Sequence, residues 1–249
     1  MRKKLIAANW KMYKTPEQAS EFVSAFLALV WDHKRDEIVL CPPFVAIPAV
    51  ATALHGSGIE VGGQDVFWEK EGAFTGAISA HMLRAAGCSY VIIGHSERRQ
   101  FFGETDDMVN RKLRAALAGG LKPIVCVGEV LEERERGLTE DILRRQSSVA
   151  FREISGGQAI PMVIAYEPVW AIGTGKTATP ELAGEAHRVI RAAAAEAFGE
   201  GVAGQMRILY GGSVKPENAK LLMSHPEIDG ALVGGASLDP RSFAAIVRY

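Results

Sequence analysis

A chain of 249 residues, 48% of them hydrophobic, is long enough to bury a large core, and single-domain barrels reach this size. With 28 basic residues against 29 acidic ones, its formal net charge of -1 excludes bulk-charge attraction to nucleic acid or to an anionic membrane, so any anion specificity must be local. Three cysteines, Cys41, Cys88 and Cys126, lack the spacing of a disulfide framework or a zinc site and fit a reducing, cytoplasmic setting, and no apolar run approaches membrane-spanning length.

In chain order, short apolar runs alternate with longer amphipathic ones. The first run, Leu5 to Trp10, ends in Asn9 and Lys11, too soon for a secretory signal, and a Thr-Pro start signal opens a helix over Pro16 to Val30. Strand patterns follow at Glu37 to Cys41 and Glu60 to Gln64, and the connection from Asp65 to Ser79 is oversized. Tyr90 to Gly94 reads as a strand that runs into His95 and what looks like the first turn of a short helix, followed by a helix over Thr105 to Ala118 and a strand over Pro123 to Val127. Pro161 to Tyr166 is a strand that Pro168 stops, leaving Glu167 at its exposed end. A helix spans Pro180 to Phe198. Met206 to Tyr210 precedes Gly211, Gly212 and Ser213, a helix covers Pro216 to Met223, and Gly230 to Val233 precedes Gly234 and Gly235.

Eight strand-then-helix repeats in a chain of this length predict one domain over residues 1–249, an α/β fold of eight parallel strands closed into a (β/α)8 barrel. An open doubly wound sheet fits less well, because the first strand lacks a Gly-x-Gly-x-x-Gly turn. In a parallel barrel every strand opens its C-terminal end on one face, which would bring Asn9, Lys11, His95, Glu167 and the two glycine turns to one rim.

The residue types at that rim suggest a chemistry. Glu167 stands before the small-residue loop Pro168 to Ala178, where Gly173 and Gly175 let backbone approach a ligand. Closure of that loop would strip water from the carboxylate and suit it to removing a proton from carbon beside a carbonyl. Trp170 reads as an anchor for the lid or as plain packing. His95 at a helix N-terminus is expected to be neutral, its pKa depressed by the helix dipole, and able to donate to a carbonyl oxygen. Lys11 is either a solvated lysine or an ammonium leaning into the barrel mouth. Glu97 is placed to pair with Lys11 or to favour the helix first turn. Backbone N–H groups in the turns at Gly211 to Ser213 and Gly234 to Gly235 would cradle a phosphate.

The segments Asn-Trp-Lys at 9–11, Ile-Gly-His-Ser-Glu-Arg-Arg at 93–99, Ala-Tyr-Glu-Pro-Val-Trp-Ala-Ile-Gly-Thr-Gly-Lys at 165–176, Tyr-Gly-Gly-Ser-Val at 210–214 and Leu-Val-Gly-Gly-Ala-Ser-Leu at 232–238 together resemble the triosephosphate isomerase family, in order and over the whole chain. The resemblance implies a TIM barrel that interconverts dihydroxyacetone phosphate and glyceraldehyde 3-phosphate in glycolysis and gluconeogenesis, without cofactor or metal. By that likeness Glu167 moves the proton through an enediolate, and His95, Lys11 and Asn9 stabilise the oxygens. Gly173, Ser213, Gly234 and Gly235 hold phosphate, with Ser96, Glu97, Trp170 and Tyr210 in support. It also implies a homodimer in which the 65–79 loop brings Thr75 to the neighbouring site. Asp65 stands where the family has asparagine, and Ala77 lacks a carboxylate expected to pair with Arg98 across the interface. Two competing readings are a catalytically silent triose-phosphate-binding barrel and an aldolase forming a Schiff base at Lys11.

Overall fold

The computed structural model describes residues 2–171 and 178–249. Eight strands, β1 (Leu5–Asn9), β2 (Glu37–Cys41), β3 (Glu60–Gly63), β4 (Tyr90–Ile93), β5 (Lys122–Val127), β6 (Val163–Tyr166), β7 (Arg207–Tyr210) and β8 (Gly230–Val233), pair in sequence order as a closed, all-parallel barrel. Closure runs between the two ends of the chain, where Leu5 pairs with Gly230 and Ala8 with Val233. Gly230 is required at this seam, since a Cβ there would stand 1.9 Å from the Leu5 carbonyl oxygen.

The period-2 alternation of the strands sorts their residues into two cores. Leu5, Ala7, Val39, Ile92, Ile124 and Leu209 fill the barrel interior. Ile6, Ala8, Leu40, Val91, Val125 and Ile208 face the surrounding helices. The helix Pro16–Val30 starts on a capping box in which Thr15 and Gln18 bond each other's backbone N–H groups. Its Phe26 meets Phe243 of the last helix, Pro240–Val247, at 5.1 Å between ring centroids. Three strands stop one residue before the apolar pattern does, at Asn9, Gly63 and Ile93. Gly94, with φ of 74°, turns the chain out of β4 and into the helix Ser96–Phe102.

The N-terminal mouth of the barrel is closed by charge. Glu37 accepts hydrogen bonds from Tyr90 Oη at 2.6 Å and Arg207 Nη1 at 2.6 Å, and Lys122 stands 3.6 Å away. At the other mouth the 65–79 connection is pinched at its base, where the Phe67 N–H donates to the Ile78 carbonyl at 2.8 Å. Residues 71–76 at its tip are exposed. Among the described residues no helix is long and apolar enough to cross a membrane.

Candidate active site

The C-terminal strand ends bring Asn9, Lys11, His95, Glu167, Ser213, Gly234 and Gly235 to the walls of one cleft of about 460 Å³. Gly173, with the 172–177 stretch of the expected lid, lies outside the described residues. A second cavity of about 640 Å³, lined by Ser96, Arg99, Cys126, Gly128 and Gln146, lies against the same glutamate, so Glu167 borders both spaces. The first is the candidate reaction cleft, because of the two it is the one that gathers Lys11, His95 and the glycine turns.

Glu167 follows β6 directly, and its N–H donates to the Val127 carbonyl at 2.8 Å, which fixes the start of its side chain. The carboxylate is buried and turned onto the helix after β4, where Oε2 accepts the Ser96 N–H at 2.8 Å. Oε1 lies 2.9 Å from His95 Nε2 but without a well-aligned donor, so one oxygen of a buried carboxylate is left under-satisfied. Burial pushes the Glu167 pKa up, yet His95 and the Ser96 N–H outweigh it and hold the group below its ordinary value. In this arrangement the carboxylate is held in a less basic state by these partners, and losing them would raise its pKa.

His95 caps the same helix, its Nδ1 accepting the Glu97 N–H at 3.2 Å. That bond assigns the neutral-ring proton to Nε2, the nitrogen that faces the cleft. Burial works against charge on the ring, but Glu167 overrides it and raises the His95 pKa above the ordinary value. The depressed value expected from the helix terminus is therefore not what this arrangement has, and the cause is the parked carboxylate. Once Glu167 moves off, burial and the Nδ1 bond both favour neutral imidazole.

Lys11 has a left-handed backbone, φ 52°, that a non-glycine residue adopts only when its surroundings impose it. They do so twice: the Lys11 N–H donates to Asn9 Oδ1 at 3.0 Å, and its carbonyl accepts from Gln64 Nε2 at 2.8 Å. The ammonium is thereby aimed at the rim, 2.6 Å from Glu97 Oε1. A Cβ at Gly234 would come within 3.3 Å of Lys11 Cε, so the glycine leaves room for that side chain. Among the described residues, the N–H groups of Gly212 and Ser213 have no acceptor in the fold, which leaves them free for an anion.

Trp170 and Tyr210 flank the expected lid. Trp170 Nε1 donates to Glu129 Oε1 at 3.0 Å, an oxygen that also accepts from Tyr166 Oη at 3.1 Å. At the far end the Ala178 N–H donates to Tyr210 Oη at 3.2 Å. The exposed tip of the 65–79 connection carries Thr75. Sequence reasoning missed Gln64, Glu104 and Glu129, and a polar side chain in an otherwise apolar or turn context was the one signal each carried. Among the described residues no three His, Cys, Asp or Glu side chains converge on a point that would hold a metal ion.

Comparison with known proteins agrees over the full length. The sequence model of the triosephosphate isomerase family matches residues 4–249. The chain is 57% identical to the triosephosphate isomerase of Solibacter usitatus over 249 residues, covering 100% of both chains. It is also 57% identical to that of Moorella thermoacetica and 56% identical to that of Citrifermentans bemidjiense, covering 100% of this chain and 99% of each relative.

Proposed function

Since the chain belongs to the triosephosphate isomerase family and so interconverts dihydroxyacetone phosphate and glyceraldehyde 3-phosphate, we propose that Glu167 is its base and that His95, Lys11 and Asn9 attend the substrate oxygens. The observation that carries this reading is the parked carboxylate: a buried glutamate bordering the cleft, with one oxygen under-satisfied and the other held by a single N–H. The substrate phosphate enters on the backbone amides of Ser213, Gly234 and Gly235. Glu167 leaves Ser96 and takes a proton from C1 of dihydroxyacetone phosphate. The C–H electron pair becomes the C1–C2 double bond, and the carbonyl pair moves to O2. The Nε2–H of His95 donates to that oxygen and the Lys11 ammonium offsets its charge. A proton then passes from the O1 hydroxyl to O2, and Glu167 returns its own proton to C2. The result is the aldose, with no net change in electrons. Family membership favours this isomerase over the silent barrel and over the Lys11 aldolase.

Glyceraldehyde 3-phosphate turnover by the wild type and by Glu167→Gln tests the assignment. The expected loss in kcat is ~10²–10⁴-fold with phosphate binding retained. Comparable turnover in the variant would remove Glu167 from its role.

The chain's partner in this reading is a second copy of itself. Large exposed apolar side chains lie in each of the connections after β1 to β4: Met12 and Tyr13, Phe44 and Val45, Phe74 and Met82, Phe101 and Phe102. Four neighbouring connections of a barrel form one side of it, and an apolar surface of that extent is ordinarily covered. Thr75, at the exposed loop tip, would then reach the partner's Lys11 and Asn9 region. Sedimentation equilibrium at micromolar concentration is expected to give a dimer, and a monomer alone would sink this arrangement. The three buried free cysteines suit a reducing, cytoplasmic setting.

A further inference from the structure

We infer that Asp65, Arg98, Glu104 and Lys112 form a closed ring of alternating charge that holds His95 and Lys11 in register, so that these four are positioning residues for the isomerisation. Glu104 Oε2 meets Arg98 Nε at 2.9 Å and Lys112 Nζ at 2.6 Å. Asp65 meets the same two cations, Lys112 through Oδ1 at 2.6 Å and Arg98 through Oδ2 at 2.9 Å. Two acids and two bases thus share four ion pairs, and the ring sums to zero charge. Lys112 is only 3% exposed and Glu104 4%, so neither is stable there without the opposite charge beside it.

The ring has two outlets, and both lead to the cleft. Glu104 Oε1, the oxygen the ring does not use, accepts the Gly94 N–H at 2.9 Å. Arg99 Nε takes the Gly94 carbonyl at 2.9 Å, so the left-handed residue just before His95 is held on both sides by charged side chains. At the other outlet, Asp65 follows Gln64, whose amide donates to the Lys11 carbonyl at 2.8 Å and the Cys41 carbonyl at 2.9 Å. One dipeptide therefore grips the strained Lys11 backbone with one side chain and the ring with the next. From Lys11 through Gln64 and Asp65, across the ring to Glu104, Gly94 and His95, every non-covalent link is 2.9 Å or shorter. The two groups assigned to the substrate oxygens hang on the two ends of a single frame.

Charge balance, more than any one contact, keeps that frame in place. Losing Asp65 leaves two cations on one carboxylate, and losing Lys112 leaves the opposite excess. In either case Glu104 is drawn toward or away from its partners and the Gly94 N–H moves with it. The inference rests on His95 and Lys11 acting at the substrate oxygens, and the controls keep the two readings apart.

The experiment is steady-state isomerisation at 25 °C by Asp65→Asn, Lys112→Met and the double variant, with wild type and His95→Gln alongside. It is joined to the ¹⁵N and ¹H shifts of the His95 ring with inorganic phosphate bound. Each single variant is expected to lose about tenfold in kcat with KM within about twofold, because the defect is misplacement of catalytic groups and not weaker binding. The His95 signals move in both. The double variant, neutral again as a ring, recovers kcat to within about threefold and returns the His95 signals toward wild type. Single variants that melt earlier yet keep wild-type kcat and unmoved His95 signals would make the ring a stability cluster and overturn the inference. A double variant no better than the singles would overturn it too, and if a single variant does not fold, a double variant with displaced His95 signals has the same force. Wild type without turnover, or His95→Gln as fast as wild type, would instead strike the functional reading on which this one stands.

Discussion

Glu167 and His95 are coupled through a 2.9 Å contact, which must break if Glu167 is to reach substrate as proposed. In this arrangement each pulls the other's pKa away from its ordinary value, Glu167 down and His95 up. Glu167→Gln removes the largest influence that raises His95, and burial then dominates. The His95 titration midpoint, followed by NMR, is expected to fall in the variant. A histidine with a raised folded pKa contributes stability that is present below its unfolded value near pH 6.5 and is lost as pH rises through the folded value. The difference in thermal midpoint between wild type and variant should therefore shrink from pH 6 to pH 9. A midpoint for His95 that rises in Glu167→Gln would contradict the coupling. At this scale the sequence made the candidate residues and the Lys11–Glu97 pair legible, but not the other pairings. Glu167 with Ser96, Gln64 with Lys11 and Glu104 with Gly94 are contacts between different strand ends, and nothing local in the chain specifies them.

At the scale of elements, the strands were legible because each is a short aliphatic run buried on both faces, which leaves little ambiguity about its type. Their ends were less so. Lys122 opens β5 although it is charged, since its stem lies along the barrel mouth with the amine 4.9 Å from the centre of the Tyr90 ring. Gln64 and Gly94 continue the strand pattern by composition yet leave the ladder, because the chain turns there to build the rim, whereas Trp10 still donates its N–H to the Cys41 carbonyl at 3.1 Å. Where β5 and β6 end there is no room for a side chain: a Cβ at Gly128 would stand 1.7 Å from the Glu167 carbonyl oxygen. Gly128→Ala is thus expected to separate the two strand ends and destabilise the fold by about 2–4 kcal/mol, as overpacking against backbone does. Residual folded protein should show a large loss of kcat, since Glu167 is the residue displaced. A variant with normal melting and normal turnover would show that the strand ends yield more easily than their spacing allows.

Across the whole molecule, stability and chemistry occupy opposite mouths of the barrel, as in parallel barrels generally. The Glu37, Tyr90 and Arg207 cluster lies at the mouth remote from Glu167. Arg207→Met should lower stability by about 1–3 kcal/mol, less than a fully buried pair would cost, because both partners keep some solvent and Lys122 still faces Glu37. Its kcat at 25 °C should match wild type, and a several-fold loss would show that the two mouths are not independent. The barrel as a whole was legible from the count of strand and helix patterns, whereas the exposed apolar side of its first four connections is a property of surface shape that no single segment displays. The seam between β1 and β8 has a further consequence for how the chain reaches this state. The residues that close the ring come from its two ends, so six of the eight strands separate them in sequence and closure has the highest loop-closure cost in the fold. Until β8 arrives, β1 and β7 are bare sheet edges able to pair with another chain. A chain truncated before Gly230 is therefore not a slightly impaired barrel but an aggregation-prone one, and the arrival of β8 is the step that hides both edges.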